Sequence, residues 1–264
     1  GLLAVSLLRG DLNQDEGWYL YGARLVAQGQ TPYLDFATTQ GPVMPYVYAL
    51  ADPLVWAMGL AGGRLFTGLL GMACIVLAAF LAYRSAQGHG RSRAMAAGLI
   101  AFGLLGINVF QAYYFTLVKT YALSGLLLVG GFVALSYMNR HPRACALLAG
   151  VFIMLAGGTR ASAAFALPAV FLVLLVRERK AKAAVRSMRC LWFFMGATVT
   201  GLVLFVPFLV LAPQALWFAM VDYHTGRQPG SAIQGIAYKF GFLSRCIQDY
   251  GMALVLLVST LTAR

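Results

Sequence analysis

Long runs of apolar residues, separated by short segments that carry charge, Gly or Pro, recur along the whole chain. Their boundaries give eight candidate membrane segments: 42–58, 65–83, 94–112, 120–137, 144–157, 161–176, 191–211 and 250–263. Backbone groups inside a bilayer must satisfy their hydrogen bonds within the segment, so each segment that crosses should be an α-helix. The sequence therefore predicts an all-α, polytopic helical membrane protein that forms a single transmembrane domain over residues 1–264.

Composition and charge exclude several other classes of protein. Apolar residues make up 61% of the chain and charged residues only 11%, where a soluble domain carries about 25% charged residues. A net charge of +12 would suit nucleic-acid binding only if Lys and Arg gathered on a solvated element, but they lie between the apolar runs, so we expect no nucleic-acid partner. The runs do not alternate as in a porin-like barrel. No Walker, GxSxG, HExxH or Cys/His metal spacing occurs, so no nucleotide, serine-hydrolase or metal site of those kinds is predicted.

The basic residues predict the topology of the chain. Eleven of the 20 Lys and Arg residues lie in three connections, at 84–93, 139–143 and 177–189. Because positively charged loops stay in the cytoplasm, residues 9–41 and 212–248 should be the first and second extracytoplasmic segments. Two crossings by the early runs 42–58 and 65–83 would conflict with this topology, so either one of them does not cross or the charge rule fails here. We expect 42–58 to be re-entrant or to lie on the surface, because Asp52-Pro53 interrupts it and a charge at bilayer depth is costly.

Both ends of the sequence are typical of a segment taken from a longer protein. The chain starts without Met on the apolar residues 1–8, which are too few to span a bilayer and are interpreted as the end of a first membrane helix. The last apolar run reaches Arg264 without a polar tail. We therefore expect residues 1–264 to be the N-terminal part of a longer integral membrane protein.

Acidic and aromatic residues are concentrated in segment 9–41, where a functional site should be sought. Asp15 and Glu16 precede the aromatic stretch 17–28, which is predicted to be a helix lying at the membrane interface. Acids at the start of a helix suit its dipole, so capping alone would explain this pair. A further acid, Asp35, follows in an extended stretch that contains proline, and this recurrence favours a functional site.

These residues together resemble the membrane glycosyltransferases of GT-C fold. The similarity is carried by an Asp-Glu pair after the first membrane helix, an aromatic juxtamembrane helix, Tyr33-Leu34-Asp35-Phe36 and a turn that bears proline. It is closest to the protein O-mannosyltransferase-like and lipid A aminoarabinose-transferase-like branches, and the motifs cover residues 11–50. Where many relatives have Lys-Pro-Pro, this chain has Gln40-Gly41-Pro42, so a cation that could hold a carrier phosphate is absent there.

The resemblance implies a GT-C-like enzyme with an extracytoplasmic juxtamembrane helix. Such an enzyme transfers a sugar, with inversion, from a polyprenyl-phosphate-linked donor to a lipid, glycan or protein acceptor. Matched by position, Asp15 is the catalytic first carboxylate of the pair, which would act as the general base, Glu16 is its neighbour and Asp35 is the later acidic residue of the motif. The implied location is the bacterial inner membrane with the active site facing the periplasm. No cofactor is implied, although neighbouring carboxylates offer oxygen ligands for a divalent cation.

Substrate-binding residues should lie on the same side of the membrane. Lys119 and Arg160 each fall at a predicted extracytoplasmic helix end, where they would supply countercharge for phosphate or snorkel to lipid headgroups. His224 and Arg227 lie in the second extracytoplasmic segment, where they would cover the cleft and touch the acceptor. Tyr33 is a further candidate. The enzyme hypothesis predicts that Asp15, Asp35 and a cation converge on one cavity that is open to lipid.

Two other classes of protein stay open from the sequence. A transporter or flippase of lipid-linked saccharides would use the same acids to bind or gate the headgroup, but it is expected to place ionisable groups near the midplane, often in repeated halves. The sequence shows no such repeat. A non-catalytic membrane subunit would use segment 9–41 to dock a partner, and loss of Asp15 would then leave transfer intact.

Overall fold

The computed structural model describes residues 2–9, 11–177 and 183–226, together with 234–237, 240–241 and 244. These residues form helices and connecting turns, with one isolated bridge between Pro32 and Phe36, so the all-α prediction is confirmed for them. The predicted run 250–263 and the candidate Arg227 lie outside the described residues. The helices are α1 (Leu2–Arg9), α2 (Gln14–Ala27), α3 (Val43–Ala49), α4 (Asp52–Met58), α5 (Leu60–Ser85), α6 (Arg91–Ile107), α7 (Val109–Thr116), α8 (Thr120–Ser136), α9 (Pro142–Thr159), α10 (Ala166–Arg177), α11 (Ala183–Leu211), α12 (Pro213–Trp217) and α13 (Tyr223–Thr225).

Three helices in the described part of the chain are long and apolar enough to cross a membrane: Leu60–Ser85, Pro142–Thr159 and Ser187–Leu211. A fourth candidate span consists of α6 and α7 together, which meet at a bend of 73°. These helices fit an integral membrane protein. The predicted run 94–112 is therefore not one straight helix. It breaks at Asn108, whose backbone is extended and whose side chain accepts a hydrogen bond from the Gln111 backbone N–H at 2.6 Å, starting a new helix.

The run 42–58 forms two short helices, α3 and α4, of seven residues each. At 1.5 Å per residue each is only about 10 Å long, against about 30 Å for the hydrocarbon core. Pro53 lies in the first turn of α4, where its missing N–H costs nothing, and it sets the start of the second helix. Neither helix is long enough to cross a bilayer by itself.

Helices α8, α9 and α11 pack closely around small residues. A Cβ at Gly150 of α9 would collide with the Phe193 carbonyl of α11, and a Cβ at Gly196 of α11 would collide with the Leu147 carbonyl of α9. Buried side chains such as Ile153 and Phe193 fill the space between them. Glycine is therefore required at these crossings because it lets two backbones touch, as is common between membrane helices.

The basic connections come together at one end of the helices. Arg84, at the end of α5, donates a hydrogen bond to the Ser136 hydroxyl at the end of α8 and stacks on the Tyr137 ring. Arg143, in the first turn of α9, contacts the Met188 sulfur at the start of α11. The candidate site lies at the opposite end of this bundle, where α5 and α8 begin and α9 and α11 end.

The glycine crossings give a test of the helix packing. Gly150→Ala should destabilise the protein by about 1–3 kcal/mol, because its Cβ meets backbone that cannot move aside. Gly103→Ala in α6 is the matched control, since nothing lies within 4 Å of its Cβ. Thermal unfolding in detergent, followed by circular dichroism, measures both changes. Equal melting temperatures for the two variants would contradict the close approach of α9 and α11.

Candidate functional site

The Glu16 carboxylate is the central buried group of the site, with an exposed fraction of 1%. Its Oε1 accepts hydrogen bonds from Arg64 Nε at 2.9 Å and from the Val118 backbone N–H at 3.0 Å. Its Oε2 accepts from Arg64 Nη2 at 2.6 Å and from the Asn13 backbone N–H at 3.2 Å. Such a bidentate, fully hydrogen-bonded pair is the form in which a charge tolerates burial.

The Glu16 carboxylate also stabilises the N-terminus of α2. Asn13 caps the helix by accepting the Asp15 backbone N–H at 3.1 Å, and Glu16 returns a bond to the Asn13 backbone, which together form a capping box. Arg64 also donates to the Asp11 carbonyl at 2.7 Å, so the chain before the helix is held as well. Glu16 is therefore used in structure and does not face the cavity described below.

Asp15 and Lys119 form an ion pair between the first turn of α2 and the residue before α8. The Glu16 carboxylate joins the same two segments. Lys119 Nζ lies 2.7 Å from Asp15 Oδ2, and the exposed fractions of the two side chains are 17% and 47%. Asp15 is the residue before Glu16, and Lys119 follows Val118, whose N–H binds Glu16. The buried carboxylate thus fixes the backbone on both sides of the pair, which itself stays accessible to water.

Arg160 supplies a second cation at the same place. It follows α9 and begins the 3₁₀ turn Ala161–Phe165. Its Nη1 donates to the Thr120 hydroxyl at 3.2 Å, its Nε donates to the Ser162 hydroxyl at 3.1 Å, and its guanidinium lies 4.5 Å from the Tyr121 ring centroid. These contacts hold the guanidinium plane in one orientation beside the start of α8.

The three charged groups line one cavity of roughly 630 Å³. Asp15, Lys119 and Arg160 give it an excess of positive charge. Its other walls combine polar side chains with aromatic rings, namely Trp18, Tyr19, Tyr121, Phe218 and Tyr223. A cavity of this size with a few convergent polar groups is typical of a small-ligand site.

Tyr19 lines the same cavity as Asp15, Lys119 and Arg160, and it lies one helical turn after Asp15 on the same face of α2. Burial, together with the negative charge of Asp15, raises the pKa of Tyr19 to about 12, and the positive charge of Arg160 acts in the opposite direction. The phenol is therefore a neutral hydrogen-bond donor at physiological pH. Sequence reasoning missed this residue, although its spacing from Asp15 was a usable signal.

The segment between α2 and α3 closes one side of the cavity through Ala37, Thr39 and Gln40. It is held by Tyr33, which has a positive φ of 66° and donates from its hydroxyl to the Gln40 carbonyl at 2.6 Å. It is also held at Gly41, where a Cβ would collide with the Gly158 carbonyl. Glycine at position 41 lets this segment lie directly against the end of α9, next to Arg160.

Besides Glu16, two further predicted site residues, Tyr33 and Asp35, do not line the cavity. Tyr33 is buried against Phe208 of α11, with ring centroids 5.0 Å apart, so it supports the segment that closes the cavity. Asp35 lies in the turn Thr31–Phe36 and is exposed, and its Oδ2 accepts the Thr31 backbone N–H at 2.7 Å. The expected convergence of Asp35 with Asp15 therefore does not occur, because the turn directs that carboxylate back onto its own backbone.

The chain after α11 covers another side of the cavity. Phe218, Tyr223 and His224 line it, and His224 Nε2 lies 3.0 Å from the Thr39 carbonyl. His224 thus joins the two segments that flank the cavity. The residues that the sequence and the structure agree in placing together are Asp15, Lys119, Arg160 and His224.

Arg64 was missed by sequence reasoning, although it immediately precedes the apolar run 65–83. An ionisable residue in a membrane helix usually pairs with another polar or charged group, so a partner for Arg64 should have been sought among the acids of segment 9–41. Among the described residues, no group of three or more His, Cys, Asp or Glu side chains is arranged to hold a metal ion. Asp11, Asp15, Glu16 and Asp35 therefore do not gather into one carboxylate cluster.

Comparison with known proteins assigns no family. No protein-family model, curated protein or solved structure matches the chain. Any assignment of function therefore depends on the chemistry of the cavity itself.

The buried pair can be tested separately from any activity. Arg64→Met should destabilise the protein by about 3–5 kcal/mol, because it leaves the Glu16 carboxylate buried without its partner. Arg91→Met, at an exposed Arg at the start of α6, should change stability by less than about 0.5 kcal/mol. Chemical denaturation in mild detergent measures both. A small effect of Arg64→Met would mean that Glu16 is not a buried anion.

Proposed function

We propose that this chain is the catalytic membrane domain of a GT-C-like glycosyltransferase, which moves a sugar from a polyprenyl-phosphate donor to an extracytoplasmic acceptor with inversion. The observation that carries the proposal is the meeting of one carboxylate, Asp15, with two cations, Lys119 and Arg160, in one cavity. These residues are far apart in sequence. Their convergence, which does not include Asp35, gives two of the groups that such a transfer needs: a base and countercharge for phosphate.

The side chains that line the cavity fit a phosphate-linked sugar better than a purely apolar ligand. Arg160 presents a planar guanidinium, whose fork geometry matches phosphate oxygens, and Lys119 adds a mobile point charge. Trp18 and Tyr121 offer apolar ring faces for the C–H faces of a sugar ring, while Tyr19 and His224 offer polar atoms for its hydroxyls. Because the donor is a lipid, it needs no nucleotide site.

The proposed reaction is a single displacement at the anomeric carbon. The acceptor hydroxyl oxygen attacks that carbon, its proton passes to the Asp15 carboxylate, and the bond from the anomeric carbon to the phosphate oxygen breaks. The departing phosphate takes the electron pair and is stabilised by Arg160 and Lys119. Attack opposite the leaving group inverts the configuration. In the resting cavity Lys119 is paired with Asp15, so donor phosphate would draw Lys119 away and free the carboxylate to act as base.

The proposed location follows from the distribution of charge. The basic connections gather at the end of the helices opposite the cavity, and positively charged loops stay in the cytoplasm. We therefore place the cavity on the extracytoplasmic side, facing the periplasm of a bacterial inner membrane, with α2 as a juxtamembrane helix. The acceptor would be a lipid, glycan or protein that reaches this surface.

A transporter or flippase of lipid-linked saccharides is the second candidate function. The observation that favours it is the bent pair of α6 and α7, since discontinuous helices are common at transporter binding sites. That break lies shortly before Leu117-Val118-Lys119, which carries one of the cavity cations. A transporter would move the labelled lipid between leaflets without breaking its glycosidic phosphate bond, so the two functions differ in their products.

The role of Asp15 is tested by transfer from radiolabelled polyprenyl-phosphate sugars in membranes that carry the full-length protein. Asp15→Asn should lower the rate by about 10²–10⁴-fold, the usual contribution of a general base. Asp11→Asn is the control, because it removes a carboxylate four residues away whose side chain is exposed and does not line the cavity. Equal turnover of the wild type and Asp15→Asn would remove the proposed mechanism.

The role of Arg160 is tested with polyprenyl phosphate that lacks a sugar, used as a competitive inhibitor of the same reaction. Arg160→Gln should weaken this inhibition by about 10-fold or more, since a hydrogen bond to a charged group contributes about 1.5–3 kcal/mol. Arg93→Gln, at an exposed residue of the basic end, should leave it unchanged. Unaltered inhibition of the Arg160 variant would place the phosphate elsewhere.

A further inference from the structure

The outer face of α3 and α4 is apolar and exposed. Exposed fractions are 46% for Tyr46, 77% for Leu50, 73% for Trp56 and 51% for Met58, and no residue of α4 is buried. The opposite face of α3 is fully packed, with Tyr48 at 0%. These two helices therefore carry an apolar surface, hereafter the α3–α4 face, which the described part of the chain leaves uncovered.

The α3–α4 face continues directly into a long apolar helix. Only Gly59 separates α4 from α5, and a Cβ at Gly62 would collide with the Leu54 carbonyl, so α4 folds back closely on the first turn of α5. Helix α5 is one of the candidate spans, and its own outer residues Leu69 and Val76 are also more than half exposed. Exposed apolar side chains therefore occur on α4 and on the candidate membrane helix that follows it.

A cation marks the polar boundary of this surface. The Arg24 guanidinium, in the last turn of α2, lies 4.6 Å from the centroid of the Trp56 ring. Tryptophan with an apolar face and an adjacent cation is the combination found where hydrocarbon meets lipid headgroups. A protein partner would not require a cation on the rim, whereas lipid phosphates would pair with it.

We propose that the α3–α4 face is inserted into the interfacial region of the bilayer, with Trp56 among the outer ends of the acyl chains and Arg24 at the headgroup phosphates. Residues 42–58 thus lie on the membrane surface and do not re-enter it. The inference depends on the membrane location of α5 and does not depend on the proposed sugar transfer. Interfacial helices bury their apolar face about 5–10 Å into this region.

This arrangement has a consequence for the cavity. Helix α2 carries Asp15 at its first turn and Arg24 at its last, about 14 Å apart along the helix at 1.5 Å per residue. Anchoring one end of α2 on the membrane surface through Arg24 and Trp56 therefore sets the height of Asp15 above the lipid. A lipid-linked ligand would reach the cavity from the same interface.

Fluorescence quenching tests the depth of Trp56 directly. The full chain is reconstituted in phosphatidylcholine and phosphatidylglycerol vesicles with Trp18, Trp192 and Trp217 replaced by Phe, so that Trp56 is the only tryptophan of the 264 residues. Lipids brominated near the headgroup end of the acyl chain should quench it at least about twofold more than lipids brominated near the chain terminus. Aqueous acrylamide should quench it weakly.

A matched variant that keeps only Trp18 serves as the control. Trp18 lines the cavity and is half exposed, so acrylamide should quench it more strongly than it quenches Trp56. Strong acrylamide quenching of Trp56 without quenching by brominated lipids would show that the α3–α4 face is in water and overturn the proposal. Resistance of Trp56 to both quenchers would show that protein covers the face, and this also overturns it. Neither result would bear on the transfer assay.

Discussion

The buried pair of Glu16 and Arg64 is the interaction on which the rest of the site depends. A carboxylate that is 1% exposed can stay charged only because Arg64 binds it through two nitrogens and two backbone N–H groups complete its hydrogen bonds. One of these N–H groups belongs to Asn13 and the other to Val118, which are 105 positions apart in the sequence. The pair therefore joins the start of α2 to the start of α8, and the residues beside them, Asp15 and Lys119, meet as a result.

Opposite roles for two adjacent acids follow from helix geometry. Successive residues of an α-helix point about 100° apart, so Asp15 and Glu16 cannot face the same space. Glu16 turns into the protein and becomes structural, while Asp15 turns to the cavity and keeps 47% of its side chain exposed. The buried Glu16 carboxylate fixes the backbone on which Asp15 stands. Asp15 can therefore keep a defined position and still be reached by a substrate.

Several features of this molecule could be predicted from the sequence, and the reasons for the failures are physical. Apolar runs and loop charge predicted the helices and placed Lys119 and Arg160 at the same end as Asp15, because both signals are properties of the chain in a bilayer. They could not predict that Asp35 bonds its own turn, that Tyr33 takes a positive φ and packs on Phe208, or that the run 94–112 breaks at Asn108. Those outcomes depend on local hydrogen bonds and on tertiary packing, which cannot be predicted from the hydropathy of the sequence.

The measurement that tests the central claim most directly is an experimental structure of the full-length protein with a non-transferable polyprenyl-phosphate sugar analogue. The account predicts the phosphate within hydrogen-bonding distance of Arg160, with Lys119 turned toward it and Asp15 facing the anomeric carbon from the side opposite the phosphate. A phosphate bound at the basic end of the helices, beside Arg84 or Arg143, would contradict it. So would an anomeric carbon out of reach of the Asp15 carboxylate.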